Sequence, residues 1–90
     1  MSTLLVTYDL NKPGQDYADF YKIIKINGFA KLSESSYVIS TNETPQSIYN
    51  QLASHVDKGD QVYVIHLRRP YAGQGTQDVN DWLENNLSLQ

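Results

Sequence analysis

The spacing of apolar positions shifts between alternation and a helical period along this chain, and each shift predicts an element. Thr3-Leu4-Leu5-Val6-Thr7-Tyr8 is rich in β-branched and aromatic residues and reads as a strand. It ends near Asp9, because Asn11-Lys12-Pro13-Gly14 is a turn signal. From about Gln15 the period becomes helical. Tyr17, Phe20, Tyr21 and Ile24 stand at i, i+3, i+4 and i+7, with Asp16 and Asp19 early, Lys22 and Lys25 late, and Asn27-Gly28 as the stop. Phe29–Leu32 and Tyr37–Thr41 read as strands of a hairpin connected through residues 33–36. Thr44-Pro45 predicts an N-cap followed by proline at the first helical position, with Ile48, Leu52 and Val56 on one face and Asp57-Lys58-Gly59-Asp60 closing the helix. Gln61–Leu67 is a strand whose nearly continuous apolar run predicts cover on both faces. Arg68–Gly75 is a loop by composition. Thr76 then caps a last helix striped by Val79, Trp82, Leu83 and Leu87.

The order β-α-β-β-α-β plus a terminal helix is the ferredoxin-like, split-βαβ pattern of the α+β class. Right-handed crossovers put both main helices on one face of a four-stranded antiparallel sheet and leave the other face open. The strands do not alternate cleanly enough for a wetted face, so something covers it. A homodimer with the terminal helix adding to the contact is one solution; a monomer lidded by its own helix is the other. A single domain over residues 1–90 follows, with a core at 3–67, a loop at 68–75 and the helix at 76–89.

Composition narrows the function classes. Ninety residues leave no room for a second domain and a deep interdomain cleft. Apolar residues make up 40%, aromatic ones 11%, which excludes a disordered chain. No apolar run reaches the roughly 18 residues of a membrane span, and Met1-Ser2-Thr3-Leu4 lacks the charged start of a signal peptide, so a cytoplasmic protein without a membrane partner is expected. The absence of cysteine excludes disulfides, thiolate nucleophiles and thiolate metal sites. A net charge of −3 argues against broad, unspecific nucleic-acid binding but permits a local basic patch.

Asp9 stands at the end of the first strand. A carboxylate there can hold a hard cation such as magnesium, and two copies across a dimer axis make a better site than one; the plainer role is to accept hydrogen bonds from its turn. Arg68-Arg69 and Tyr71 follow the last strand and suit phosphate contacts and base stacking, with Lys12 as a further cation; the plainer reading is a solvated connector. Gly73-Gln74-Gly75 lacks the remainder of a dinucleotide fingerprint. His55 and His66 show no metal-ligand spacing, although His66 has the chemistry of a proton-transfer group. Most of the seven tyrosines fall at packing positions.

Leu5-Val6-Thr7-Tyr8-Asp9-Leu10, Gly28-Phe29, Tyr37-Val38-Ile39 and Asp60-Gln61-Val62-Tyr63-Val64-Ile65 together resemble the small CRISPR-associated endonuclease that serves as the adaptor subunit of spacer acquisition, with its stand-alone relatives. The virulence-associated protein D ribonucleases are more distantly similar. The resemblance spans roughly residues 3–67 and leaves out the terminal helix. It implies a ferredoxin-like protomer in a homodimer, with Asp9 paired across the dimer and placed to hold magnesium. The activities the resemblance implies are metal-dependent phosphodiester hydrolysis of RNA or DNA, or non-catalytic nucleic-acid scaffolding. By residue chemistry, Lys12, Arg68, Arg69 and Tyr71 are the expected nucleic-acid contacts; the alternative function is a non-catalytic dimeric module that binds nucleic acid or protein as a scaffold, a regulator or a toxin-related protein.

Overall fold

A computed structural model describes residues 1–12 and 16–88. The elements are β1 (Ser2–Asp9), α1 (Ala18–Lys25), β2 (Gly28–Ser33), β3 (Ser36–Thr41), α2 (Pro45–Ala53), β4 (Gln61–Leu67) and α3 (Gln77–Asn86). The four strands form one antiparallel sheet in the order β2-β3-β1-β4. This is the expected α+β, ferredoxin-like arrangement with an added C-terminal helix.

The core follows from strand alternation. Leu4, Val6 and Tyr8 of β1 share a face with Tyr37 and Ile39 of β3, and that face packs against Phe20 and Ile24 of α1 and Ile48 and Leu52 of α2. All nine are buried. Tyr8 meets Phe20 edge-on at 5.1 Å and lies parallel to Tyr37 at 6.4 Å, arrangements that suit the ring quadrupoles. Burial, more than any other cause, pushes the Tyr8 phenol far above the ordinary tyrosine range.

Helix ends obey local chemistry. The Thr44 hydroxyl accepts the Ser47 N–H at 3.1 Å, with Pro45 at the first helical position. Thr44→Ala is expected to cost about 1 kcal/mol in thermal or urea unfolding, whereas Thr44→Ser costs a few tenths at most; equal losses from both would show that the cap hydroxyl is not what stabilises α2. Thr76 caps α3 in the same manner, accepting the Val79 N–H at 3.4 Å.

Several boundaries differ from those the pattern predicts. α1 begins at Ala18, where the Asp16 carboxylate accepts the Ala18 N–H; the predicted Pro13-Gly14 turn and the helix start at Gln15 lie outside the described residues. The hairpin is tighter, because Ser33 already pairs with Ser36 and only Glu34 and Ser35 form the turn. α2 ends at Ala53, and residues 54–60 form turns rather than a last helical stretch. The expectation for β4 is corrected more deeply. β4 is an edge strand, none of its residues is buried, and Tyr63 and Ile65 are 62% and 47% exposed. Within the single chain only one face of β4 is covered: Val62 and Val64 are half-buried against the core, while Tyr63 and Ile65 on the other face stay exposed.

The sheet face opposite α1 and α2 is partly covered by α3. Thr3, which alternates away from Leu4, donates its hydroxyl to the Asn86 carbonyl at 2.8 Å. Val38, flanked by core-facing Tyr37 and Ile39, points to this same face and is fully buried. Val79, Trp82, Leu83, Asn86 and Leu87 are the half-buried and buried positions of the helix and its cap, a stripe at helical spacing turned to the sheet. The chain's own helix therefore takes up much of the face that either a lid or a partner had to fill.

Candidate functional site at the end of the first strand

Asp9 closes β1, a strand flanked on both sides by neighbours, and pairs in register with Gln61 at the start of β4. Alternation from Tyr8 places it on the face away from α1 and α2, in line with Thr7 and Leu5 and beside Tyr63 and Ile65. Its carboxylate is exposed and has no hydrogen bond or ion pair among the described residues. Capture of its own turn's N–H groups is therefore not seen there. Tyr63 and Ile65, large apolar side chains that remain exposed, lie on this face near it.

The chain leaving Asp9 is instead held by Asp60, which directly precedes Gln61, the register partner of Asp9. One Asp60 oxygen accepts the Asn11 N–H at 2.7 Å; the other accepts the Tyr17 hydroxyl at 2.8 Å and the Asp57 N–H at 2.9 Å. The Asp57 N–H foremost, with the Asn11 N–H and Tyr17 hydroxyl, holds the Asp60 carboxyl below the usual carboxylate range. Partial desolvation and then the bond to Asp60 push the Tyr17 phenol up. Lys12 leans on the same junction, its Nζ 3.5 Å from Asp57 Oδ2. The result is an open depression lined by Asn11, Lys12, Asp57, Lys58, Gly59 and Asp60. Sequence reasoning assigned Asp60 only to the end of a helix. The available signal was register: the residue just before β4 must lie beside the residues just after β1.

The predicted basic group divides in two. Asp9 and Lys12 sit at one end of the β1–β4 ladder. Arg68 and Arg69 follow Leu67, which pairs with Thr3 at the other end. Asp9 lies six residue steps along the strand from Thr3, about 20 Å at the usual rise. Lys12 therefore does not join the arginine pair within one chain. Arg69 is also committed internally: its Nε donates to the Leu87 carbonyl at 3.3 Å, and its Nη2 donates to the Glu84 carbonyl at 2.8 Å and lies 3.1 Å from the Glu84 carboxylate. Its guanidinium also lies 5.5 Å from the centre of the Tyr71 ring, and the Tyr71 hydroxyl donates to Glu84 at 2.7 Å. A cation on the last carbonyls of a helix is a favourable capping arrangement. Arg69 and Tyr71 thus dock α3, and Arg68 alone of the four predicted contact residues is exposed without a side-chain partner among the described residues.

Among the described residues no group of three or more His, Asp or Glu side chains is arranged to hold an ion. Three carboxylates, Asp9, Asp19 and Asp78, are exposed without a partner among the described residues, and of these Asp9 alone closes a strand. Magnesium is commonly held by one or two carboxylates with several waters, so the donor set fits once a second Asp9 is supplied by another copy. His66 is exposed on the edge strand and His55 half-buried beyond α2, each outside any such group.

No protein-family model matches the chain, and no solved structure matches it. Among the described residues no helix is long and apolar enough to cross a membrane.

Proposed function

We propose that the protein is a cytoplasmic homodimer that hydrolyses phosphodiesters in RNA or DNA, resembling the small CRISPR-associated endonuclease. The observation that carries this reading is Asp9: an exposed, unpartnered carboxylate at the end of a strand flanked on both sides, near the exposed Tyr63 and Ile65 on the same face of the sheet. Two Asp9 side chains brought together by Tyr63, Ile65 and Leu5 of each copy would hold one magnesium ion. When bound, that ion supplies charge neutralisation at the phosphate and lowers the pKa of a coordinated water. The chain's own residues contribute position. Asp60 fixes the Asn11 N–H and so the path of the turn that leaves Asp9, and Arg68 offers a free guanidinium for a backbone phosphate. Hydrolysis of labelled RNA or DNA is expected to need magnesium and to drop to the metal-free background in Asp9→Asn, with the fold unchanged by circular dichroism. Undiminished turnover in that variant would remove the proposal.

A second reading is favoured by a specific observation: Lys12, Arg69 and Tyr71 are all engaged within the chain, and the net charge is −3. On this reading the homodimer binds a nucleic acid or a protein without cleaving it, as a scaffold, regulator or toxin-related module. Salt dependence separates the two kinds of partner, since each phosphate contact steepens the fall of affinity with salt. Arg68→Ala is expected to reduce that slope by about one for duplex DNA; an unchanged slope would place the phosphate contacts elsewhere.

A further inference from the structure

We propose that α3 is a latched lid: it opens from the sheet without unfolding the βαββαβ body, and Glu84 is its latch. None of the ten residues of α3 is buried, yet the helix packs against β2 on the sheet face where the neighbouring Val38 of β3 is fully buried. An element that contributes few buried side chains of its own opens at a lower free energy than the core it covers. Its attachments gather at one end. Glu84 accepts from Arg69 and Tyr71, the Glu84 and Leu87 carbonyls accept from the Arg69 side chain, the Ser88 carbonyl accepts from the Arg69 N–H, and the Asn86 carbonyl accepts from Thr3. Between Tyr71 and α3, residues 72–76 are exposed throughout, and added side-chain bulk at Gly73 would meet nothing. That segment is built as a hinge, while the Arg69–Glu84–Tyr71 cluster is built as a catch. Val38 and Leu5 share the sheet face beneath, and the lid therefore sets how much of that face a second copy can reach; this last consequence rests on the self-association proposed above.

Trp82 is the sole tryptophan and lies half-buried on α3, so its emission reports the lid directly. Glu84→Ala removes the latch carboxylate while leaving a strong helix former in its place. In the full chain, backbone amides of α3 are expected to exchange with solvent faster than those of β1 and β3. Glu84→Ala is expected to speed α3 exchange by roughly fivefold or more and to red-shift Trp82 emission, with the exchange of Leu4, Val6 and Ile39 unchanged. Tyr71→Phe, which deletes one hydroxyl, should give a smaller change in the same direction. Exchange of α3 amides only at the rate of the sheet, in both the wild type and Glu84→Ala, would overturn the lid. Sedimentation of the same variant tests the other half: a larger dimer fraction supports gating of self-association. Faster α3 exchange in a chain that stays monomeric at every concentration keeps the lid and overturns the dimer reading.

Discussion

Phe20→Ala should strip away a large share of the protein's folding stability and lower its melting midpoint sharply. Phe20 is fully buried, meets Tyr8 edge-on at 5.1 Å and packs on the centre of the sheet. Truncating a buried phenylalanine costs about 3–5 kcal/mol, from lost transfer energy and the cavity left behind. A domain of this size has a total stability on the order of 5–15 kcal/mol, and each kcal/mol moves the melting temperature by about 4–8 °C. The midpoint should therefore fall by roughly 12 °C or more. Phe20→Leu keeps most of the volume and should lose much less. Similar midpoints for wild type and Phe20→Ala, followed by circular dichroism, would mean that the α1–sheet contact is not the core of this fold.

Asp60→Asn is the second large effect, and its signature lies in pH. The Asp60 carboxylate gathers the Asn11 N–H, the Tyr17 hydroxyl and the Asp57 N–H, and these bonds hold its pKa down. A group whose pKa is depressed on folding contributes stability that is fully present above its unfolded-state pKa and is lost as pH falls through its folded-state pKa. The wild-type midpoint should therefore decline on the acid side of the ordinary carboxylate range. Asp60→Asn should lower the midpoint at neutral pH and flatten that acid decline. Glu84, depressed by the Tyr71 hydroxyl and then by Arg69, titrates in the same direction and accounts for part of the slope that remains. Two curves that run parallel down to acid pH would show that Asp60 does not contribute through its charge. Tyr17→Phe should reproduce part of the neutral loss with little of the flattening.

The elements were legible because each carries a local cause. Period and capping residues announce α2 at Thr44-Pro45 and α3 at Thr76, and β-branched and aromatic residues announce β1 and β4. The order of the strands followed from connection rules rather than from any single residue. What the chain could not show locally was cover. Val62–Leu67 reads alike whether a strand is central or at an edge, and only the sheet order makes Tyr63 and Ile65 exposed. The candidate site was legible in part for the same reason. Asp9 at a strand end is a local feature. The commitment of Arg69 and Tyr71 to Glu84, thirteen or more residues away, is tertiary, as is the reach of Asp60 to Asn11 across 49 positions.

The sheet order also governs when this protein can fold during synthesis. β1 leaves the ribosome first, but its neighbours are β3 and β4, so the strand made earliest is among the last to be fully paired. The hairpin of β2 and β3 closes over two turn residues and needs nothing from elsewhere, whereas the β1–β4 ladder must wait until residue 67 is free. Such distant pairings slow folding by delaying the contacts that offset chain ordering. Until then Leu4, Val6 and Tyr8 have no second flank, and a nascent chain stalled before β4 presents that unpaired edge to any other strand nearby.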